Sequence, residues 1–486
     1  MKIALVIGSG IAGLAAALRL RAKGFRVNVF DRNAYTGGKL AELRLGAYRF
    51  DAGPSLFTLP EQVDELFKLF GENPRDHFNY VQLPCVCNYF WDDGQVFSAS
   101  AQPETFVKDA AHAFDVKPQI IKKYLHHSRF VYETTAPVFL DRSLHKLRNF
   151  LNYETLRGIW RMPQLGIFGV LHQTNKKQLG NARLTQLFDR YATYNGSDPY
   201  RAPAVLQSIP HLEYHTGAWM PHGGMRAIVD ALTALAKRQG VEFMLSTPVE
   251  RIMVENGQAI GLVAGGTQYF ADHVVCNSDV FSAYRALLPE QKAPERTLSQ
   301  ERSSSALIFY WGVKKQFQAL DVHNIFFSKD YKKEFALIFE GQNISDDPTV
   351  YVHITSSVER GDAPEGCSNW FVMINVPGNT GQNWADLRTK ARAAIIRKLD
   401  RCLGANLAEL IEEEDYLDPP RIEQRTGSHQ GSLYGAASNS RFAAFLRHPN
   451  FSHPIKNLWF CGGSVHPGGG IPLCLKSAKI AAQMIR

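Results

Sequence analysis

The chain has no closely spaced cysteine pair of the kind that holds zinc or builds a disulfide framework. Its seven cysteines stand apart at 85, 87, 276, 367, 402, 461 and 474. The count is odd and no CxxC occurs; Cys85 and Cys87 are too close for zinc spacing. No metal is expected, and a reducing cytoplasm fits. Long apolar runs are also missing, so no stretch reaches the ~20 residues of a membrane span. The first twenty residues imitate a signal peptide, a Lys followed by an apolar run. Glycines at 8, 10 and 13 break that run, and no signal peptide is read there. Neither low-complexity segments nor repeats at solenoid or propeller spacing occur, which sets aside disorder and arrays. At 486 residues the chain exceeds one compact core, so two or three lobes are expected.

What is present is unevenly placed. The formal net charge is +8. Between Lys117 and Arg190 there are 13 Lys/Arg against 4 Asp/Glu, and the remainder is about neutral.

The N-terminus carries the sharpest motif. Residues 2–7 (KIALVI) read as a buried parallel strand. Gly8-Ser9-Gly10-Ile11-Ala12-Gly13 follows, then an amphipathic helix to Gly24 and a second strand (26–30) ending at Asp31. Strand, glycine turn, helix, strand and acid form a dinucleotide-binding unit. Gly8 makes the tight turn, Gly10 admits the pyrophosphate, and Gly13 lets helix and strand pack closely. The helix start offers free N–H groups to phosphates. Asp31, 18 residues past Gly13, is placed to accept bonds from ribose hydroxyls.

Asp31-Arg32 followed by Gly37-Gly38-Lys39 resembles the second glycine motif of glutathione-reductase-type flavoproteins, which implies FAD. Near the other end, Cys461-Gly462-Gly463-Ser464, then His466-Pro467-Gly468-Gly469-Gly470-Ile471-Pro472, leads into a helix. Its glycines suit a flat ring system, and the helix start suits the flavin pyrimidine edge.

These blocks, with Phe50-Asp51-Ala52-Gly53-Pro54-Ser55 and Pro221-His222-Gly223-Gly224-Met225, resemble the carotenoid desaturases of the phytoene desaturase type over essentially the whole chain. The run from Gly37 to Pro60 most resembles the branch that 3,4-desaturates a 1-hydroxylated carotenoid. Asp31 departs from the family's usual Glu, and Lys39 from its usual Arg, which exchanges a bidentate fork for a point charge. The resemblance implies an α/β fold: a Rossmann-like FAD-binding domain of glutathione-reductase type, an inserted mixed-sheet substrate domain and a helical membrane-associated region. It implies FAD contacts at Gly8, Ser9, Gly10, Ile11, Ala12, Gly13, Asp31, Arg32, Gly38, Lys39, Gly53, Pro54, Ser55, Leu56, Val249, Asn277, Leu433, Gly462, Gly463, Gly470, Ile471 and Pro472.

The expected division is discontinuous. Residues 1–75, 220–285 and 420–486 hold FAD, 76–115, 195–219 and 286–419 form the substrate domain, and 116–194 the helical, basic region. Strands are expected at 305–313, 335–340, 349–354 and 370–376, lining a second sheet, with Asn256-Gly257 as a hairpin turn. A polyene offers no hydrogen-bonding groups, so its site is expected to be a long apolar tunnel.

Between 117 and 190 the basic residues alternate with Phe139, Leu140, Phe150, Leu151, Trp160, Met162, Ile167 and Phe168. That mixture suits peripheral contact with the inner, anionic face of a membrane. Nucleic acid is not expected, because no reading module is present. The implied reaction passes a hydride from an allylic carbon to the flavin and a proton to a neighbouring group. Glu213 and His215 are the candidate proton acceptors, against a purely structural role. No second nucleotide site is visible, so quinone or oxygen is the expected electron acceptor. Phytoene desaturation, carotenoid cis/trans isomerisation and pigment binding without chemistry stand as alternatives. A flavin amine oxidase fits less well, since a cationic substrate disfavours the basic segment.

Overall fold

The computed structural model describes residues 1–146, 161, 164–440 and 443–486. Ile3–Ile7 is apolar throughout because it lies in the middle of a five-stranded parallel sheet. The order is Leu458–Phe460, His273–Cys276, Ile3–Ile7, Arg26–Phe30, Glu242–Met244. Segments far apart in sequence thus meet within two strands of each other. The first helix, Ile11–Ala22, packs its alanine and leucine face on this sheet and on the C-terminal helix, Ile471–Met484. That approach needs Gly13: a Cβ there would stand 2.0 Å from the Gly8 carbonyl oxygen. Val249–Glu255 and Gln258–Ala264 form the expected hairpin. Its two turn residues, Asn256 and Gly257, have φ of 49° and 72°, the positive values a two-residue turn requires.

A second, seven-stranded mixed sheet runs in the order Ile411–Leu417, Ser305–Val313, Ser368–Val376, Val350–His353, His323–Phe326, Cys85–Phe90, Val96–Ser100. Its pairs are antiparallel except the parallel pair His323–Phe326 with Cys85–Phe90. Alternation divides its residues between two faces. One face buries Trp311 and Trp370, register partners, against Ile395 and Leu399 of the helix Trp384–Leu403. The other turns Ile308, Phe371, Met373, Tyr351, His323 and Ile325 toward a large internal cavity.

The helical reading of 103–190 holds for Pro103–Ala113, Pro118–Thr135, Leu171–Leu179 and Ala182–Asp189. Phe150, Leu151, Trp160 and Met162 lie outside the described residues. Among the described residues no helix is long and apolar enough to cross a membrane, and no His/Cys/Asp/Glu group is arranged to hold a metal.

One expected strand is corrected. Residues 335–339 belong to the helix Tyr331–Phe339, and Glu340 follows its end. The Asp330 side chain caps it by accepting from the Lys333 N–H, and Tyr331, Phe335 and Ile338 are its buried side. A five-residue apolar run fits a buried helix as well as a strand, and here the cap decides.

Candidate active site

One cavity of about 880 Å³ extends from the N-terminal glycine turn to the seven-stranded sheet. Its wall brings together Gly8, Gly10, Ile11, Ala12, Asp31, Arg32, Gly38, Lys39, Gly53, Pro54, Ser55, Leu56, Val249, Asn277, Leu433, Gly462, Gly463, Gly470, Ile471 and Pro472. Ser9 and Gly13 stand behind that wall. Glu213 reaches the cavity, whereas His215 is exposed and does not line it.

The nucleotide end is built mainly from backbone. Leu14 N–H makes the first helical bond, to Gly10 O at 2.9 Å. The N–H groups of Ile11, Ala12 and Gly13 therefore have no partner within the helix, and with the helix dipole they form an anion site. Asp31 is held from two sides. Its Oδ2 accepts from Ser9 N (2.7 Å) and Ser9 Oγ (2.6 Å), and its Oδ1 from Asn33 N (2.8 Å). Asn277 ties the N- and C-terminal turns together. Its Nδ2 donates to Gly8 O at 3.3 Å, and a Cβ on Gly462 would stand 2.6 Å from its Oδ1. A Cβ on Gly53 would stand 1.8 Å from Lys39 O. At Gly470, by contrast, φ is 103° and a Cβ would meet nothing within 4 Å. Open space in front of one helix start and free N–H groups at another fit an extended dinucleotide with a planar ring.

Cations surround the C-terminal side of this end. Lys39 Nζ donates to the carbonyls of Ser432 (3.2 Å) and Leu433 (3.0 Å). Burial pushes its pKa down to about 8, although Asp279 acts in the opposite direction. Arg302 pairs with Asp279 at 2.5 Å and donates to Ser432 Oγ at 3.0 Å. Arg447 donates to the carbonyls of Tyr434 (3.3 Å) and Ala436 (2.9 Å), and burial pushes it down to about 10. Sequence reasoning missed Arg302 and Arg447, whose motifs lie in neither glycine block.

The remaining wall is largely apolar, with Val86, Leu206, Ile209, Leu212, Ile308, Ile325, Phe371 and Met373. Polar residues interrupt it, and two hydrogen-bonded clusters stand out among them. In the first, Glu213 Oε2 accepts from Arg190 (2.8 Å) and Tyr191 (2.5 Å), while Tyr194 donates to Oε1. Arg190 also donates to the Tyr89 hydroxyl at 2.8 Å. In the second, the Tyr351 hydroxyl is hydrogen-bonded to Ser55 Oγ (2.9 Å) and to His323 Nδ1 (2.8 Å). Burial holds His323 neutral by lowering its pKa to about 3. Of these groups the sequence pointed only to Glu213 and Ser55.

The chain matches the model of the flavin containing amine oxidoreductases over residues 11–486. It is 54% identical over 485 residues to the 1-hydroxycarotenoid 3,4-desaturase of Flavobacterium sp. strain P99-3, covering 100% of this chain and 99% of that protein. To the phytoene desaturase of Fusarium fujikuroi it is 30% identical over 513 residues, covering 100% of this chain and 89% of that protein. An oxidoreductase structure from Methanosarcina mazei superposes with a TM-score of 0.65 at 15% identity, covering 99% of both chains, a likeness of fold. A glycine turn, a ring-sized opening and full-length similarity agree: the chain belongs to the flavin containing amine oxidoreductase family and is an FAD-dependent oxidoreductase.

Proposed function

We propose that the chain desaturates a carotenoid, removing two hydrogens across the 3,4 bond of a 1-hydroxylated polyene. The observation that carries this reading is the 54% identity over the whole chain to a 1-hydroxycarotenoid 3,4-desaturase; the phytoene desaturase, at 30%, is more distant. The apolar wall continuous with the nucleotide end supports it.

In this reading residues 1–75, 220–285 and 420–486 hold FAD. The start of the helix Ile11–Ala22 would hold the pyrophosphate, Asp31 the ribose and Val249 the adenine side, and Gly53–Leu56, Leu433, Gly462–Gly463, Ile471 and Pro472 would hold the ring. When bound, FAD supplies the two-electron acceptor for the hydride. The chain's own part is binding, orientation and exclusion of water. Residues 76–115, 195–219 and 286–419 provide the apolar wall, and positive charge developing on the substrate spreads along its conjugated chain. Glu213 serves as the counter-ion that keeps buried Arg190 in place, since Arg190 and two tyrosines occupy its oxygens. His215 stays off the wall. Neither position is therefore read as the base that takes the proton.

The region 116–194 is read as the membrane-facing mouth. Phe168 is 66% exposed beside Ile167, a cavity residue. Lys122 and Lys123 are exposed on the helix Pro118–Thr135, whose Tyr132 and Thr135 also line the cavity. Each lysine near an anionic surface contributes about 1 kcal/mol of attraction. The substrate enters from the bilayer, and the two electrons pass on to a quinone or oxygen.

Mass spectrometry of pigments from cells making either a 1-hydroxylated carotene or phytoene tests the reading. The hydroxylated pigment should lose two hydrogens and shift to the red, with phytoene unchanged. A product of unchanged mass would indicate isomerisation instead, and pigment held without conversion would indicate a binding protein.

A further inference from the structure

In a 1-hydroxylated polyene only C2 separates the hydroxyl-bearing carbon from the 3,4 bond. Whatever recognises that hydroxyl must therefore sit beside the reacting bond, at the ring end of the cavity. Ser55 belongs to the turn assigned to the ring, so its hydrogen-bond partners mark the place. Tyr351 OH lies 2.9 Å from Ser55 Oγ, and His323 Nδ1 lies 2.8 Å from the same Tyr351 oxygen. All three side chains line the cavity.

The two hydrogen-bonded clusters described above differ in what they leave unsatisfied. Glu213 has three donors on its carboxylate, and Arg190 is matched by Glu213 and three tyrosine hydroxyls. His323 is different: it is 4% exposed, and its Nε2 is buried without a hydrogen-bond partner. Buried polar atoms in native proteins are almost always paired, and His323 combines an unpaired ring nitrogen with a place among the residues of the cavity wall. The chemistry of a partner for that nitrogen follows from the ring's two tautomers. When Tyr351 donates to Nδ1, the proton stands on Nε2, which needs an acceptor. When Nδ1 donates to Tyr351, Nε2 needs a donor. A hydroxyl satisfies either state; an unsubstituted hydrocarbon satisfies neither. The imidazole plane is fixed by His353, stacked on it with centroids 5.0 Å apart and planes 12° from parallel.

We propose that His323 and Tyr351 form the specificity site for the hydroxyl group of the polyene end, with His323 Nε2 as its hydrogen-bond partner. This rests on the hydroxycarotenoid reading above. It makes the pair specificity-determining, because losing the substrate hydroxyl strands a buried nitrogen. Sites built to bond a substrate hydroxyl reject the analogue lacking it by large factors.

The test uses the FAD-loaded full chain with one 1-hydroxylated carotenoid and the same carotenoid lacking the hydroxyl. Two quantities are read: the ratio of kcat/KM values, and the ratio of Kd values from anaerobic pigment titration. The wild type should prefer the hydroxylated pigment by about 100-fold or more. His323→Leu and Tyr351→Phe should each reduce that preference by about 10-fold or more, with the change in KM and Kd. Flavin content and melting temperature identify a misfolded variant, and Tyr351→Phe, which removes one oxygen, serves if His323→Leu does not fold. Folded, flavin-loaded variants that keep the wild-type preference would overturn the hydroxyl site while leaving the 3,4-desaturase reading intact. A wild type that desaturates neither pigment would overturn that reading, and this inference with it.

Discussion

The two ends of the cavity are built on different plans. At the nucleotide end the backbone does most of the work: a side chain at Gly53 would collide with the Lys39 carbonyl, and one at Gly462 with Asn277. At the seven-stranded sheet the work falls to side chains, with Ile308, Phe371 and Met373 forming a wall that Tyr351 and His323 punctuate. A backbone site fails when an atom is added. A side-chain site fails when one is removed.

That contrast can be broken by substitution. The largest effect is expected at the side-chain end. Glu213→Ala strands the buried Arg190 guanidinium and should cost about 3–5 kcal/mol in urea unfolding. A loss below about 1 kcal/mol would mean the ion pair is not the support described here. At the backbone end, Gly53→Val places atoms where a Cβ already lies 1.8 Å from Lys39 O. It should lower stability by about 3 kcal/mol and yield colourless protein; a yellow, stable variant would contradict the close approach. Asp31→Ala is expected to be milder. It removes the acceptor of Ser9 and of the ribose, weakening FAD by about 10–100-fold in fluorescence titration. Unchanged affinity would place the ribose elsewhere.

The most distributed effect, shared among several buried histidines and not tied to one substitution, concerns acid. Burial holds His323 neutral with a pKa near 3, and pushes His211, His448 and His466 down to about 4. The unfolded chain takes up protons below its ordinary histidine pKa of about 6.5, whereas the folded chain does not until these lower values. Stability should therefore be flat in these groups above about pH 7 and fall as pH drops from about 6.5 toward 4. A urea midpoint that is no lower at pH 5 than at pH 7.5 would contradict the neutral burial of these histidines.

The same contrast explains what the sequence made legible. Glycine spacing is local, so the turn at 8–13, Asp31 and the block at 462–472 stood out and now line one cavity, with Ser9 and Gly13 directly behind. Asn277 was visible only as the end of a returning strand. Tyr351 and His323 come from two segments that the fold alone brings to Ser55, and nothing in the local pattern of either marks it. His215 was chosen for its proximity in sequence to a glycine pair, but it follows the short helix Pro210–Tyr214 and faces outward. Glu213, two residues earlier, faces inward to Arg190. Residues 335–340 mislead because a run of five apolar residues carries no period, and the deciding signal is the Asp330 cap.

The central claim is that polyene and FAD share one dry cavity and exchange electrons directly. Anaerobic single-turnover mixing of the FAD-loaded protein with one equivalent of a 1-hydroxylated carotenoid tests it most directly. Loss of the oxidised flavin band at the same rate as growth of a red-shifted pigment, one for one, is the predicted result. An oxidised flavin band that persists while the pigment stays bound and unchanged would contradict it.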